Sequence, residues 1–325
     1  MNETSTILVC DHRGAGILKA LRPLAAAGFR IECSQSLKHS LERLSRSRPT
    51  LLVVDMLSPE GFHELGALDR AREEPELVPM LVVRDTEHSA AWQRAVRALH
   101  APAWDLVDRE ASAEEFRLRI DRLLAESRLR HEVDDLRHRA SHDDRTDLLR
   151  PQAFQARLSE QFSAAQRHGL ALTLALIDLD NFGSVNKIHD HTVGDRLIAE
   201  VGSVVRQSLR TEDIAGRLGG DEFAVLLPFT SPADASGVVR RLLTQIERLS
   251  GHISGRGGAA LSVTGSLGYA TFDGSNVPTA DELRRRAEQA LRAAKTDGGN
   301  RAIAWIEVPQ TGAIDEGLAA PSIQA

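Results

Sequence analysis

Cysteine is nearly absent: 325 residues contain two, Cys10 and Cys33. They sit early and lack any metal-ligand spacing. A disulfide framework or a cysteine metal site is therefore excluded, and both are expected to be buried reduced thiols. No apolar run approaches the ~20 residues that span a bilayer, and no charged-then-apolar leader opens the sequence. The expectation is a cytoplasmic protein without membrane association. A surplus of positive charge is missing too. The formal net charge is -6, which argues against a nucleic-acid surface. What is present is ordinary for a folded chain: 42% hydrophobic and 26% charged residues. At about 100–200 residues per domain, the length predicts two domains.

The first of these, 1–125, alternates apolar runs with amphipathic stretches. Ile7–Cys10, Leu51–Val54 and Met80–Val83 read as buried strands, and Leu18–Ala27 as a helix stopped by Gly28. Continuous apolar strands between helices predict a parallel, doubly wound α/β sheet. Such sheets gather ligands at strand carboxyl ends, where Asp11, Asp55 and Arg84 fall. Residues 126–142 then read as a linker helix. Leu129, Val133, Leu136 and Ala140 form a narrow seam suited to a short coiled coil with a second copy.

The second domain, 143–307, has mixed element order. Leu172–Ile177 and Leu261–Ala270 read as strands. Asp190–Leu209, Val238–Leu249 and Ala280–Ala294 read as helices, and Ile214–Leu227 as a hairpin broken by Gly219-Gly220. That order predicts α+β architecture. The segment 308–325 lacks periodicity and is expected to be disordered.

The chemistry collects in this second domain. Asp221 and Glu222 follow the Gly-Gly turn at once. Asp178 and Asp180 lie on one side of a strand end, two residues apart. Carboxylates arriving from a strand end and from a turn suit Mg²⁺ held partly by protein and partly by substrate phosphates.

Arg217-Leu218-Gly219-Gly220-Asp221-Glu222-Phe223 resembles the signature of the GGDEF diguanylate cyclases. Asp178-Leu179-Asp180-Asn181-Phe182, then Asn186, His191 and Gly194-Asp195, resemble the family's second motif with the same spacing. Ser266–Ala270 and Ala294-Lys295 match later positions. The resemblance implies a palm-like fold related to nucleotidyl cyclases and a homodimer that condenses two GTP into cyclic di-GMP and two pyrophosphates. It implies Mg²⁺ or Mn²⁺ on Asp178, the Leu179 carbonyl and Asp221, with Glu222 supporting metal binding or proton transfer. Asp221 and Glu222 would be the catalytic pair. GTP would lie on Phe182, Asn186, Asp195, Gly219, Gly220 and Lys295. Asn186 and Asp195 would read the guanine edge, because a carboxylate accepts from N1–H and N2–H, which adenine does not offer. Arg210 and Asp213, in an Arg-x-x-Asp string nine residues before Gly219, resemble the family's inhibitory product site.

The departures matter as much. Gly183 and Gly299 replace basic residues of the family pattern, while Lys187 and Arg301 stand nearby. The opening motif is altered at Arg145, Asp147, Arg150 and Pro151. Two readings stand beside the enzyme: a weak or inactive effector that binds cyclic di-GMP, and a scaffold that binds GTP without turnover. The first domain resembles response-regulator receivers of the flavodoxin-like class, with Asp55 at the phosphoacceptor place. His12 replaces one of the metal-binding acids, Arg84 replaces the hydroxyl, and Arg109 falls at the lysine. That predicts a degenerate receiver in which Arg84 neutralises Asp55. Its expected role is dimerisation or binding of a histidine kinase or another protein partner.

Overall fold

The computed structural model describes residues 5–11, 17–26, 28–55, 61–72, 77–84, 99, 102–253, 255 and 260–308. His12 and 309–325, on which two of the readings above fall, lie outside them. The chain divides into two compact units, Met1–Leu136 and Arg137–Ala325.

In the first unit, strands β1 (Thr6–Asp11), β2 (Arg30–Ser34), β3 (Leu51–Asp55), β4 (Met80–Arg84) and β5 (Trp104–Asp108) form one sheet in the order β2-β1-β3-β4-β5. Every pair is parallel. The central strands are apolar throughout because both faces are covered. Ile7, Val9, Val53 and Leu81 pack with helices α1 (Ile17–Ala26) and α4 (Ala113–Ser141). Leu8, Cys10, Leu52 and Val82 pack with α2 (Leu37–Ser47) and α3 (Gly61–Ala71) on the other face.

Helix α4 runs unbroken for 29 residues. Its first half buries Phe116, Ile120, Leu123 and Leu124 against the sheet. Leu129 and Leu136 of the expected seam are exposed by 62% and 58%. No helix among the described residues is long and apolar enough to cross a membrane.

The second unit holds β6 (Leu172–Leu179), β7 (Ile214–Gly219), β8 (Glu222–Pro228), β9 (Gly265–Phe272) and β10 (Ala302–Ala304), ordered β10-β9-β6-β8-β7. Only β10 with β9 is parallel; the other three pairs are antiparallel. Period-two alternation sorts the side chains of β6 and β8. Ala175, Ile177, Phe223 and Val225 face α7 (His191–Ser208) and α8 (Pro232–Glu247). Leu174, Leu176, Ala224 and Leu226 face α5 (Pro151–His168) and α9 (Ala280–Thr296). The short α6 (Phe182–His189) follows β6.

Four sequence expectations change. Cys33 is exposed, since β2 is an edge strand, whereas Cys10 is buried with its Sγ 2.9 Å from Ser40 Oγ. Helices α5 and α6 were not anticipated. Strand β9 begins at Gly265, not Leu261, because its pairing with β6 starts opposite Leu179. In the first unit Arg84 pairs with Asp108, its register partner on β5. Asp55 is instead neutralised by Arg109, and its side chain is fully buried.

Candidate active site

Asp178 continues the row of Leu172, Leu174 and Leu176 past the end of the apolar core. Glu222 is its cross-strand partner on β8. The β7–β8 turn carries Gly219 at φ 156 and Gly220 at φ 49, conformations that favour glycine. Asp221 therefore follows directly on a tight reversal, and its carbonyl accepts from the Leu179 amide at 3.3 Å. That bond fixes the hairpin tip to the end of β6. Burial and the neighbouring Asp178 charge push the Asp221 carboxyl above the usual range, against the pull of Lys295 and Arg217. Lys295 Nζ lies 2.6 Å from Asp178 Oδ2. Gly268 makes this possible: a Cβ there would collide with the Leu291 backbone, so only glycine lets α9 lie on β9 and bring Lys295 forward.

Two carboxylates brought together at a strand end and a turn, with the Asp178 charge acting on Asp221, suit a hard divalent cation. Among the described residues no three acidic, histidine or cysteine side chains gather as a metal cluster. Mg²⁺ is commonly bound through one or two carboxylates with substrate phosphates and water, so Asp178, Asp221 and the Leu179 carbonyl fit it. Glu222, opposite Asp178 in the β6–β8 register, is exposed and also lines a small cavity with Gln155, Leu218 and Arg284.

Asp180, the fourth acid of the sequence reading, is committed elsewhere. It accepts from Thr264 Oγ1 at 2.9 Å, Ser266 Oγ at 2.7 Å and the Asn300 amide at 2.9 Å. These bonds moor the loop after α9. Gly299 belongs to that mooring: at φ 75, a Cβ would lie 3.0 Å from the Asp180 carboxylate. A larger residue there would crowd Asp180. Arg301 folds back onto the same loop, donating to the Gly299 carbonyl at 3.2 Å. At Gly183, by contrast, a Cβ would meet nothing within 4 Å, so sterics do not require the glycine.

A second cluster lies on α6 and α7. Asn186 Oδ1 is buried and has no hydrogen-bond partner among the described residues. It sits against Gly194, where any Cβ would collide with it and would also lie 3.2 Å from the Phe182 ring. An orphaned buried acceptor costs free energy unless a ligand satisfies it. Asp195 follows Gly194 and pairs with Arg145, Nη2 to Oδ2 at 3.0 Å.

Sequence reasoning assigned no role to Arg217, yet it braces the hairpin. Its Nε and Nη2 donate to the Gly220 carbonyl at 3.1 and 2.7 Å, and Nη1 donates to both Asp143 oxygens at 3.1 Å.

Arg210 and Asp213 line an open cavity of about 300 Å³. Asp213 accepts from the Arg210 amide at 2.9 Å, and burial raises its carboxyl pKa. The same cavity gathers Arg157 from α5, Arg206 from α7, and His142. Only the tertiary fold collects these three, and no sequence spacing would have found them.

The mixed sheet carries Asp178 at a strand end and Asp221 and Glu222 at the adjoining turn. Residues 140–301 match the family model described as Diguanylate cyclase, GGDEF domain, so this segment of the chain is a GGDEF domain. The chain is 34% identical over 169 residues to Diguanylate cyclase DgcP of Pseudomonas aeruginosa, covering 52% of this chain and 24% of that one. It is 27% identical over 273 residues to Response regulator PleD of Caulobacter vibrioides, covering 80% of this chain and 58% of that one. Among solved structures, the coiled coil and GGDEF domain of DgcB from Caulobacter crescentus, in complex with c-di-GMP, aligns at TM-score 0.54 and 27% identity. That alignment covers 59% of this chain and all of the other. The chain thus spans between 24% and 58% of the length of these two curated relatives.

Proposed function

We propose that the chain condenses two GTP molecules into cyclic di-GMP. The observations that carry this reading are the placement of Asp178 and Asp221 together at the end of β6 and the hairpin tip, and the buried Asn186 acceptor that lacks a partner among the described residues. In each half-reaction the 3′-hydroxyl oxygen of one nucleotide bonds to the α-phosphorus of the other. The bond from that phosphorus to the bridging oxygen of the β-phosphate breaks, and pyrophosphate leaves. Two such steps close the ring, so two nucleotide-loaded domains must face each other and the working form is a homodimer.

A divalent ion, Mg²⁺ or Mn²⁺, would be held by Asp178, the Leu179 carbonyl and Asp221, and when bound it neutralises phosphate charge and acidifies the attacking hydroxyl. Asn186 and Asp195 orient the base. Lys295 exchanges its Asp178 contact for the triphosphate. Glu222, exposed at the start of β8, accepts the hydroxyl proton. Arg210 and Asp213, with Arg157 and Arg206 in the same cavity, bind the product and feed back on activity.

The first unit supports a receiver-like reading. Its strand order, β2-β1-β3-β4-β5, is that of flavodoxin-like sheets, and the alignment with the response regulator extends over most of this chain. Arg109 on the buried Asp55 supports a module that binds a partner protein or a second copy without phosphotransfer. Incubation with acetyl phosphate should leave the intact mass unchanged; stoichiometric modification at Asp55 would refute that part.

Gly183, Gly299 and the three-arginine cavity favour a second reading, an effector that binds cyclic di-GMP with decayed catalysis. Incubation of the purified chain with GTP and Mg²⁺ separates the two. Cyclic di-GMP and pyrophosphate in a 1:2 ratio are expected; tight product binding without synthesis would make it the effector.

A further inference from the structure

The contact between Arg145 and Asp195 is not explained by the reaction above, and Arg145 stands where the family pattern has leucine. The turn that carries Arg145 is held by its neighbours. Asp143 Oδ1 accepts from the Arg145 amide at 3.3 Å and from the Thr146 amide and hydroxyl at 3.1 and 2.9 Å. Asp143 also binds Arg217, which holds the hairpin carbonyl of Gly220. Thr146 is fully packed against Gly202, where a Cβ would lie 2.6 Å from the threonine Cβ. Gly202 lies seven residues, about two helical turns, beyond Asp195 on α7. The turn carrying Arg145 therefore rests on the face of α7 that presents Asp195.

We propose that Arg145 is a specificity-determining residue that donates to the guanine carbonyl O6 while it stays on Asp195. This rests on the reading of Asn186 and Asp195 as the base site. A carboxylate has about four acceptor sites, so one Arg145 contact leaves room for guanine N1–H and N2–H. O6 neighbours N1 on the same edge. It is an acceptor, so a carboxylate placed for N1–H repels it. Arg145 supplies what that edge lacks: a guanidinium with several donors, one nitrogen of which, Nη2, already lies 3.0 Å from Asp195 Oδ2. Base recognition in this chain is then a three-part set in which Asn186 and Asp195 accept and Arg145 donates.

The test is equilibrium binding of 3′-deoxy-GTP, which has no 3′-hydroxyl and cannot turn over, against its 6-thio analogue, in which the weaker acceptor sulfur replaces O6. The full-length chain should prefer the oxygen nucleotide. Arg145→Ala should lose about ten-fold in affinity for 3′-deoxy-GTP, the scale of one charged hydrogen bond, and should bind the two nucleotides alike. Arg145→Lys, which keeps the charge but not the fork, should fall between. A merely structural role for Arg145 would lower both affinities equally and leave the preference intact, which would overturn the proposal. Equal or tighter 3′-deoxy-GTP binding by Arg145→Ala would overturn it too, identifying the arginine as a plug over Asp195. If the unsubstituted chain bound neither nucleotide, the GTP reading itself would fall with it; binding of both without dependence on Arg145 would sink this inference alone.

Discussion

Lys295 Nζ sits 2.6 Å from Asp178 Oδ2, on the carboxylate that would hold the metal ion. The ammonium and a divalent cation compete for the same oxygen. Lys295→Met should therefore tighten Mn²⁺ binding measured without nucleotide, by about two- to ten-fold for a half-exposed contact. The same variant should lower kcat/KM for GTP, because the triphosphate loses its lysine. Weaker Mn²⁺ binding by the variant would show that Lys295 does not compete for Asp178.

Asp221 trades stability for function. Burial, then the Asp178 charge, raises its folded-state pKa. The folded protein thus holds this proton more tightly than the unfolded chain does. The stabilising contribution is complete below the unfolded carboxyl pKa of ~3.9 and is lost as pH rises through the raised folded value. At neutral pH Asp221→Asn should raise Tm by roughly 1–3 °C while abolishing cyclic di-GMP synthesis. The gain should vanish in melts below about pH 4. A lower Tm at pH 7 would contradict the assignment.

Arg217 is the strut of the hairpin, with its side chain only 10% exposed. Arg217→Ala removes its bonds to Gly220 and leaves Asp143 without its bidentate partner. A cost of about 2–3 kcal/mol follows for charged, largely buried hydrogen bonds, read by urea denaturation. Arg217→Lys should recover little, since a single ammonium cannot serve both acceptors. Activity should fall further than stability, because Asp221 rides on the turn that Arg217 holds.

The cavity of Arg210 and Asp213 has a restrained member. Arg206 Nη1 is 2.8 Å from Asp147 Oδ2, and His138 Nε2 is 2.7 Å from Asp147 Oδ1. Burial acts to raise the Asp147 pKa, but His138 and Arg206 together bring it below the usual value. The pairing therefore stabilises above the unfolded carboxyl pKa and is lost as pH falls through the depressed one. Asp147→Asn tolerates the positive φ of 57 and frees Arg206 toward the cavity. Tighter cyclic di-GMP binding by calorimetry is expected, with a stability loss under about 1 kcal/mol. Unchanged product affinity would remove Arg206 from the product site.

Much of this protein was legible in the residues. Ile7–Cys10, Leu51–Val54 and Met80–Val83 announced a parallel sheet because strands covered on both faces have no polar side to show. The Asp178 and Gly219–Phe223 motifs pointed to the candidate site because a strand end and a glycine turn that adjoin bring their carboxylates together. Local chemistry of this kind is written in consecutive residues.

What the tertiary structure decided is which charges meet. Arg84 and Arg109 both stood near Asp55 in the sequence reading, and the β4–β5 register gave Arg84 to Asp108 and left Asp55 to Arg109. Asp180 resembled a metal ligand and became the mooring of the Gly299 loop. Arg157 and Arg206 carried no signal, and Arg145 and Arg217 stood in motifs without an assigned partner, because a long, flexible cation can pair with any acid the fold brings within reach. Sequence determined the kinds of groups present and the turns they need; packing of helices on the two sheets determined their partners.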